Sequence, residues 1–119
     1  MRQCVNCATD LEIEKIRCPA CGLGYEGHFA LPRLARLETA HYQLAEQIIM
    51  AAGNLKQVAE ALEVSYPTLR KRVDGLIEAL GRLKSEDQAR GAALLDEVEA
   101  GRRTPEEAAR LVKELNGVL

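Results

Sequence analysis

The apolar positions change their period along the chain, and the changes mark its elements. Near the N-terminus they alternate. Leu11-Glu12-Ile13-Glu14 reads as one short strand, and Tyr25, Gly27 and Phe29, interleaved with Glu26 and His28, as a second. Pro32 ends that strand, and Leu34 with Leu37 begins a helical apolar face. A helix is expected from about residue 38 to residue 52, burying Leu44, Ile48 and Ala51 or Ala52, with Gly53 in the C′ position. Asn54 caps the next helix, whose Leu55, Val58, Ala59 and Leu62 fall on one face. Glu63-Val64 turns the chain. Ser65 caps a third helix that tolerates Pro67 in its first turn, buries Leu69, Val73, Leu76 and Leu80, and is expected to stop at Gly81. Ser85 with Gln88 reads as a capping box opening a fourth helix, which carries Ala92, Leu94, Leu95 and Val98 and ends near Gly101. Thr104-Pro105-Glu106-Glu107 opens a fifth, with Ala108, Leu111, Val112 and Leu115 on one side and Asn116-Gly117 as its stop.

All four cysteines fall inside the strand-forming segment. Cys4, Cys7, Cys18 and Cys21 form the pattern C-x2-C-x10-C-x2-C. Two residues between cysteines let one tight turn aim both sulfurs at one point, and two such turns supply four thiolates to a tetrahedral ion. Pro19 presets the second turn, and Gly22 allows the positive φ that points backbone N–H groups at sulfur. Four protein ligands leave no position for water, so the expected zinc is structural; iron suits the same four thiolates. About 30 residues bury too little apolar surface to fold alone, so metal binding and folding coincide here. His28 lies beyond a complete ligand set and reads as a solvent-facing strand residue. Two disulfides are the rival use of these cysteines, disfavoured in a cytoplasmic chain.

Composition narrows the function classes. The chain has 119 residues and a formal net charge of −2, with no tryptophan and one phenylalanine. His28 and His41 are its only histidines, which leaves no convincing nucleophilic triad. A Walker-type glycine loop is absent, and Gly22, Gly24 and Gly27 read as turn and strand glycines, so the chain is not expected to be an enzyme. It shows neither a bilayer-spanning apolar run nor an apolar signal-peptide region, and a cytoplasmic location is expected. The charge is uneven. Residues 31–84 carry eight basic and six acidic groups, a surplus of +2; residues 85–119 carry five and eight, a balance of −3. Only the middle third suits a polyanion.

A short helix, a tight turn and a capped helix make a helix-turn-helix. Lys71 stands opposite the buried stripe of the third helix, and Arg70 and Arg72 flank it. In a major groove, Thr68 and Lys71 would reach base edges, while Ser65, Tyr66, Arg70 and Arg72 suit phosphates. Asp74 and Glu78 lie farther along the helix, where it can leave the groove.

The stretch Gly53-Asn54-Leu55-Lys56-Gln57-Val58-Ala59-Glu60-Ala61-Leu62-Glu63-Val64-Ser65-Tyr66-Pro67-Thr68-Leu69-Arg70-Lys71-Arg72 resembles Fis-type helix-turn-helix segments. The longer run from the four cysteines through Tyr25-Glu26-Gly27-His28-Phe29 into that segment resembles an uncharacterised prokaryotic family joining a zinc ribbon to a helix-turn-helix. The resemblance covers roughly the first 81 residues. It implies a bacterial regulator and places Ser65, Tyr66, Thr68, Arg70, Lys71 and Arg72 at DNA-facing positions.

The expected architecture is therefore mainly α with a small β zinc ribbon, in three modules: a zinc ribbon over 1–31, a three-helix helix-turn-helix over 32–84, and a helical hairpin over 85–119. The hairpin is expected to serve oligomerisation through Leu94, Leu95, Val98, Leu111, Val112 and Leu115, although packing within the chain suits the same residues. A homodimer on double-stranded DNA is the leading functional expectation, because one weakly basic module neutralises few phosphates. An adaptor for RNA polymerase, a sigma factor or another regulator is the second, and a metal- or redox-responsive regulator the third.

Overall fold

A computed structural model describes residues 3–116. Two strands, β1 (Ile13–Arg17) and β2 (Gly24–Phe29), are followed by a single 3₁₀ turn, Arg33–Arg36, and four helices: α1 (Thr39–Met50), α2 (Leu55–Ala61), α3 (Tyr66–Glu99) and α4 (Pro105–Leu115). No helix among the described residues is long and apolar enough to cross a membrane.

The strands pair antiparallel, with Ile16 opposite Tyr25 and an irregularity in register between Ile13 and Lys15. The first strand thus lies two to three residues later than the Leu11–Glu14 alternation suggests. Alternation locates a strand only when one face is buried. Here every residue of β1 is exposed, and so is all of β2 except its half-buried Phe29. Cross-strand contacts such as Lys15–Glu26, 3.2 Å apart, help hold the ribbon, but such an exposed pair contributes little.

The main core joins α1, α2 and the first half of α3. Leu37, Leu44, Val58, Ala59, Leu69, Val73 and Leu76 are buried together, and Ile48, Leu62, Leu80 and Leu83 pack against them. Two turns position these helices. α1 ends at Met50 rather than Ala52, and its C′ residue is Ala52, at φ +53°, rather than Gly53. The Gly53 N–H then reaches the Ile48 carbonyl at 2.9 Å. After α2 the same motif recurs: Glu63 takes φ +56°, its N–H meets the Glu60 carbonyl, and the Val64 N–H meets the Ala59 carbonyl. This is a Schellman ending, with a glutamate where glycine is usual.

The sharpest departure from the sequence reading is α3. It does not stop at Gly81, and no new helix starts at Ser85: one helix of 34 residues runs from the Ser65 cap to Glu99. Its length is about 51 Å at 1.5 Å per residue. The fourth expected helix is the second half of α3, so the 84/85 boundary falls inside a helix. A helix-interior glycine costs roughly 1 kcal/mol relative to alanine, and packing on both sides of it outweighs that. Leu80 and Leu83 hold one side to the main core; Asp87 and Leu94 are buried on the other. Positions 69, 73, 76, 80, 83, 87, 94 and 98 make one stripe through Gly81 with steps of three, four and seven.

The C-terminal hairpin exists, with α3 as its first arm. Gly101 at φ +75° turns the chain, and Thr104 caps α4 by accepting the Glu107 N–H at 3.2 Å. Leu94 and Ala108 are buried between the arms. The 3₁₀ turn is tied to the same half of α3: Arg33 and Arg36 both donate to the buried Asp87 carboxylate, and Arg33 reaches Asn116 Oδ1 at 3.4 Å.

Candidate nucleic-acid interface and cysteine knuckles

The N-terminal turn of α3 is built by its cap. Ser65 Oγ accepts the Thr68 N–H at 3.3 Å and donates to Thr68 Oγ1 at 2.8 Å. This fixes the helix start and orients the Thr68 hydroxyl. Leu69 is fully buried, which locks the rotation of α3 about its own axis. That rotation leaves Ser65, Tyr66, Thr68, Arg70, Lys71 and Arg72 all exposed.

The three cations are not equivalent. Arg70 Nε lies 3.4 Å from Asp74 Oδ1, an exposed pair one helical turn apart. Arg72 lines a groove of about 420 Å³ between α1 and α3, together with His41, Gln43 and Gln47. Lys71 has no ion-pair partner among the described residues and stands opposite the buried stripe. Farther along the same face, Glu78 lies 3.8 Å from Arg82, so positive charge is concentrated in the first two turns. His41 and its groove escaped the sequence reading. Its position three residues before the buried Leu44 was the available signal, and only packing shows that it meets α3, where it stands 3.9 Å from the Cβ position of Gly75.

The two cysteine turns match residue for residue. The Cys4 N–H meets the Thr9 carbonyl and the Cys18 N–H the Leu23 carbonyl, each at 2.8 Å. The Ala8 N–H meets the Cys4 carbonyl at 2.8 Å and the Gly22 N–H the Cys18 carbonyl at 2.9 Å. Ala8 and Gly22 take φ +61° and +79°. Alanine therefore occupies in the first knuckle the left-handed position that glycine occupies in the second. The Asn6 N–H points at Cys4 Sγ, 3.4 Å away. The Cys7 thiol is held below its ordinary pKa by the Thr9 hydroxyl, then by the Thr9 N–H and Cys4. The Cys18 thiol is lowered by the N–H groups of Cys21 and Ala20 and by the Cys21 thiol. Such hydrogen bonds favour thiolate, the form that binds metal.

The donor set and both turns fit a thiophilic ion, yet the full centre is not assembled. Among the described residues no group of three or more His, Cys, Asp or Glu is placed to hold a metal ion. The knuckles stand as two pairs.

The residues expected to mediate oligomerisation differ in burial. Leu94 is buried, Val98, Leu111, Val112 and Leu115 are half-buried, and Leu95 is exposed.

A family model described as "Domain of unknown function (DUF2089)-HTH" matches residues 37–83. The matched span begins and ends on Leu37 and Leu83, the outermost members of the main core. It covers less than half of the chain and excludes both knuckles and α4. The match agrees with a helix-turn-helix formed by α2, its turn and the start of α3. No curated protein and no solved structure matches the chain.

Proposed function

We propose that the chain is a cytoplasmic DNA-binding transcriptional regulator that uses the first two turns of α3 to enter the major groove of double-stranded DNA. The observation that carries this reading is the exposed Thr68–Lys71 face on a helix whose cap and buried Leu69 fix its orientation. Thr68 and Lys71 address base edges; Ser65, Tyr66, Arg70 and Arg72 address phosphates. The helix-turn-helix description of residues 37–83 supports the same assignment. The protein acts as a homodimer: one copy presents three cations, Arg70 partly engaged by Asp74, and two copies double the phosphate contacts and set a half-site spacing. Cys4, Cys7, Cys18 and Cys21 hold a structural zinc ion that closes the ribbon, a role supported by the two matching knuckles and by the Asn6 N–H at Cys4 Sγ.

The test begins with selection of bound duplexes from a random pool and sedimentation of the complex. Lys71→Ala and Arg72→Ala should each weaken binding, and Arg72→Ala, which removes a phosphate contact, should also lower the salt slope by about 0.9. Binding equal to the parent for both variants overturns the assigned face. A second reading, an adaptor that docks on RNA polymerase, a sigma factor or another regulator, is favoured by the five basic and eight acidic groups of residues 85–119. A protein partner retained equally by both variants, with no duplex selected, distinguishes it.

A further inference from the structure

A cavity of about 490 Å³ lies between the ribbon and the helical hairpin. Its walls come from elements far apart in sequence: Leu11 and Phe29 from the ribbon, Leu94 from α3, and Leu111 and Leu115 from α4. The volume is within the range of small-molecule sites, and apolar walls with a few convergent polar groups are their usual make-up.

Two polar features of these walls are incomplete as they stand. The first is acidic. His28 stands 3.9 Å from Glu12 and 3.6 Å from Glu114, bringing a ribbon carboxylate and an α4 carboxylate to the same imidazole. An imidazole offers at most one positive charge to the two, and neither has another ion-pair partner among the described residues. Asp10, on the same wall, adds to the negative surplus. The second is a donor. Arg36 lines the wall, and its guanidinium shares the single Asp87 carboxylate with that of Arg33, so two cations face one anion there. Arg90, also on the wall, already faces Glu97 at 3.6 Å. The walls therefore call for a cation beside Glu12 and Glu114, an acceptor for Arg36, and an apolar body between.

We propose that this cavity binds an apolar α-amino acid or a short peptide with an apolar N-terminal residue. The ammonium group sits between Glu12 and Glu114, the carboxylate or first peptide carbonyl accepts from Arg36, and the side chain fills the space against Phe29, Leu94 and Leu111. A bound ligand would bridge the ribbon, the 3₁₀ turn, α3 and α4, and α3 carries the proposed DNA-reading turn at its other end.

Isothermal titration of the full chain with L-leucine and with leucyl-leucine separates the two sources of this chemistry. No DNA is present, so the outcome is independent of the DNA-binding reading. Saturable binding of either is expected. 4-Methylpentanoate, which lacks the ammonium, and isopentylamine, which lacks the carboxylate, should each bind at least about tenfold more weakly, the size of one lost charge-assisted hydrogen bond. Glu114→Gln should weaken binding by a similar factor while leaving the circular dichroism spectrum unchanged. Leu111→Trp, which fills the cavity, should abolish it. Absence of binding by both ligands overturns the proposal, as does equal binding of leucine and either analogue, or undiminished binding by a folded Glu114→Gln protein.

Discussion

Arg33 Nε lies 2.9 Å from Asp87 Oδ2, a carboxylate oxygen that Arg36 also engages. The Asp87 side chain is 5% exposed. A residue in the 3₁₀ turn that follows the ribbon is thereby held to the middle of α3, 54 positions away in sequence. Buried charge is tolerable only when paired, and here two guanidinium groups supply the pairing. Asp87→Ala leaves Arg36 without its acceptor and Arg33 with only the 3.4 Å contact to Asn116. It should destabilise the fold by roughly 3 kcal/mol, read as a lower urea midpoint, with the ribbon and its 3₁₀ turn losing amide-exchange protection before the main core does.

Gly81→Ala tests the continuity of α3. Gly81 is exposed, lies inside the helix, and has open space where a Cβ would stand. Alanine should raise stability by about 0.5–1 kcal/mol, seen as a higher Tm. A helix end with a left-handed backbone at this position would make the same change destabilising.

The turn between α2 and α3 gives the reverse case. Glu63 holds φ +56°, where a side chain costs roughly 1–2 kcal/mol and glycine does not. Glu63→Gly should be neutral or stabilising by up to about 1 kcal/mol after its greater unfolded-state freedom is offset. Glu63→Val should lose stability. Thermal melts of the pair check both signs.

Acid should loosen the hairpin turn through one carboxylate. Arg103 Nε donates to Glu97 Oε2 at 2.6 Å and holds the Glu97 carboxyl below its ordinary pKa, with further help from the charges of Arg90 and Arg102. A depressed carboxyl pKa means that the unfolded chain binds the proton first as pH falls. The pair's contribution is therefore complete above the unfolded value, near 4.3, and is lost as pH drops through the lower folded value. Glu97→Gln should flatten that part of the stability profile and leave the slope above about pH 6 unchanged, as measured by urea unfolding across pH.

Local signals read correctly at three helix starts. Asn54, Ser65 and Thr104 each cap the helix assigned to them, because a cap needs only its own side chain and an N–H three residues on. The exposure of Ser65, Tyr66, Thr68, Arg70, Lys71 and Arg72 was likewise legible, since the apolar stripe of Leu69, Val73 and Leu76 fixes which side of the helix faces outward. The paired knuckles follow from cysteine spacing. At Gly81 and Ser85 the same kind of local signal misled, because a glycine and a serine are permissive rather than compulsory stops.

By itself, then, the order of residues determined the Asn54, Ser65 and Thr104 caps, which face of each short helix is apolar, and which side chains at the start of α3 stand exposed. Only the folded molecule decided that α3 is one rod, that Leu94 is buried within the same chain, and that Arg36, Glu12 and Glu114 converge on one cavity. The reason is physical. A cap costs and returns its free energy within four residues, whereas the continuity of α3 and the Asp87 cluster depend on contacts between segments that meet only after the chain has closed on itself.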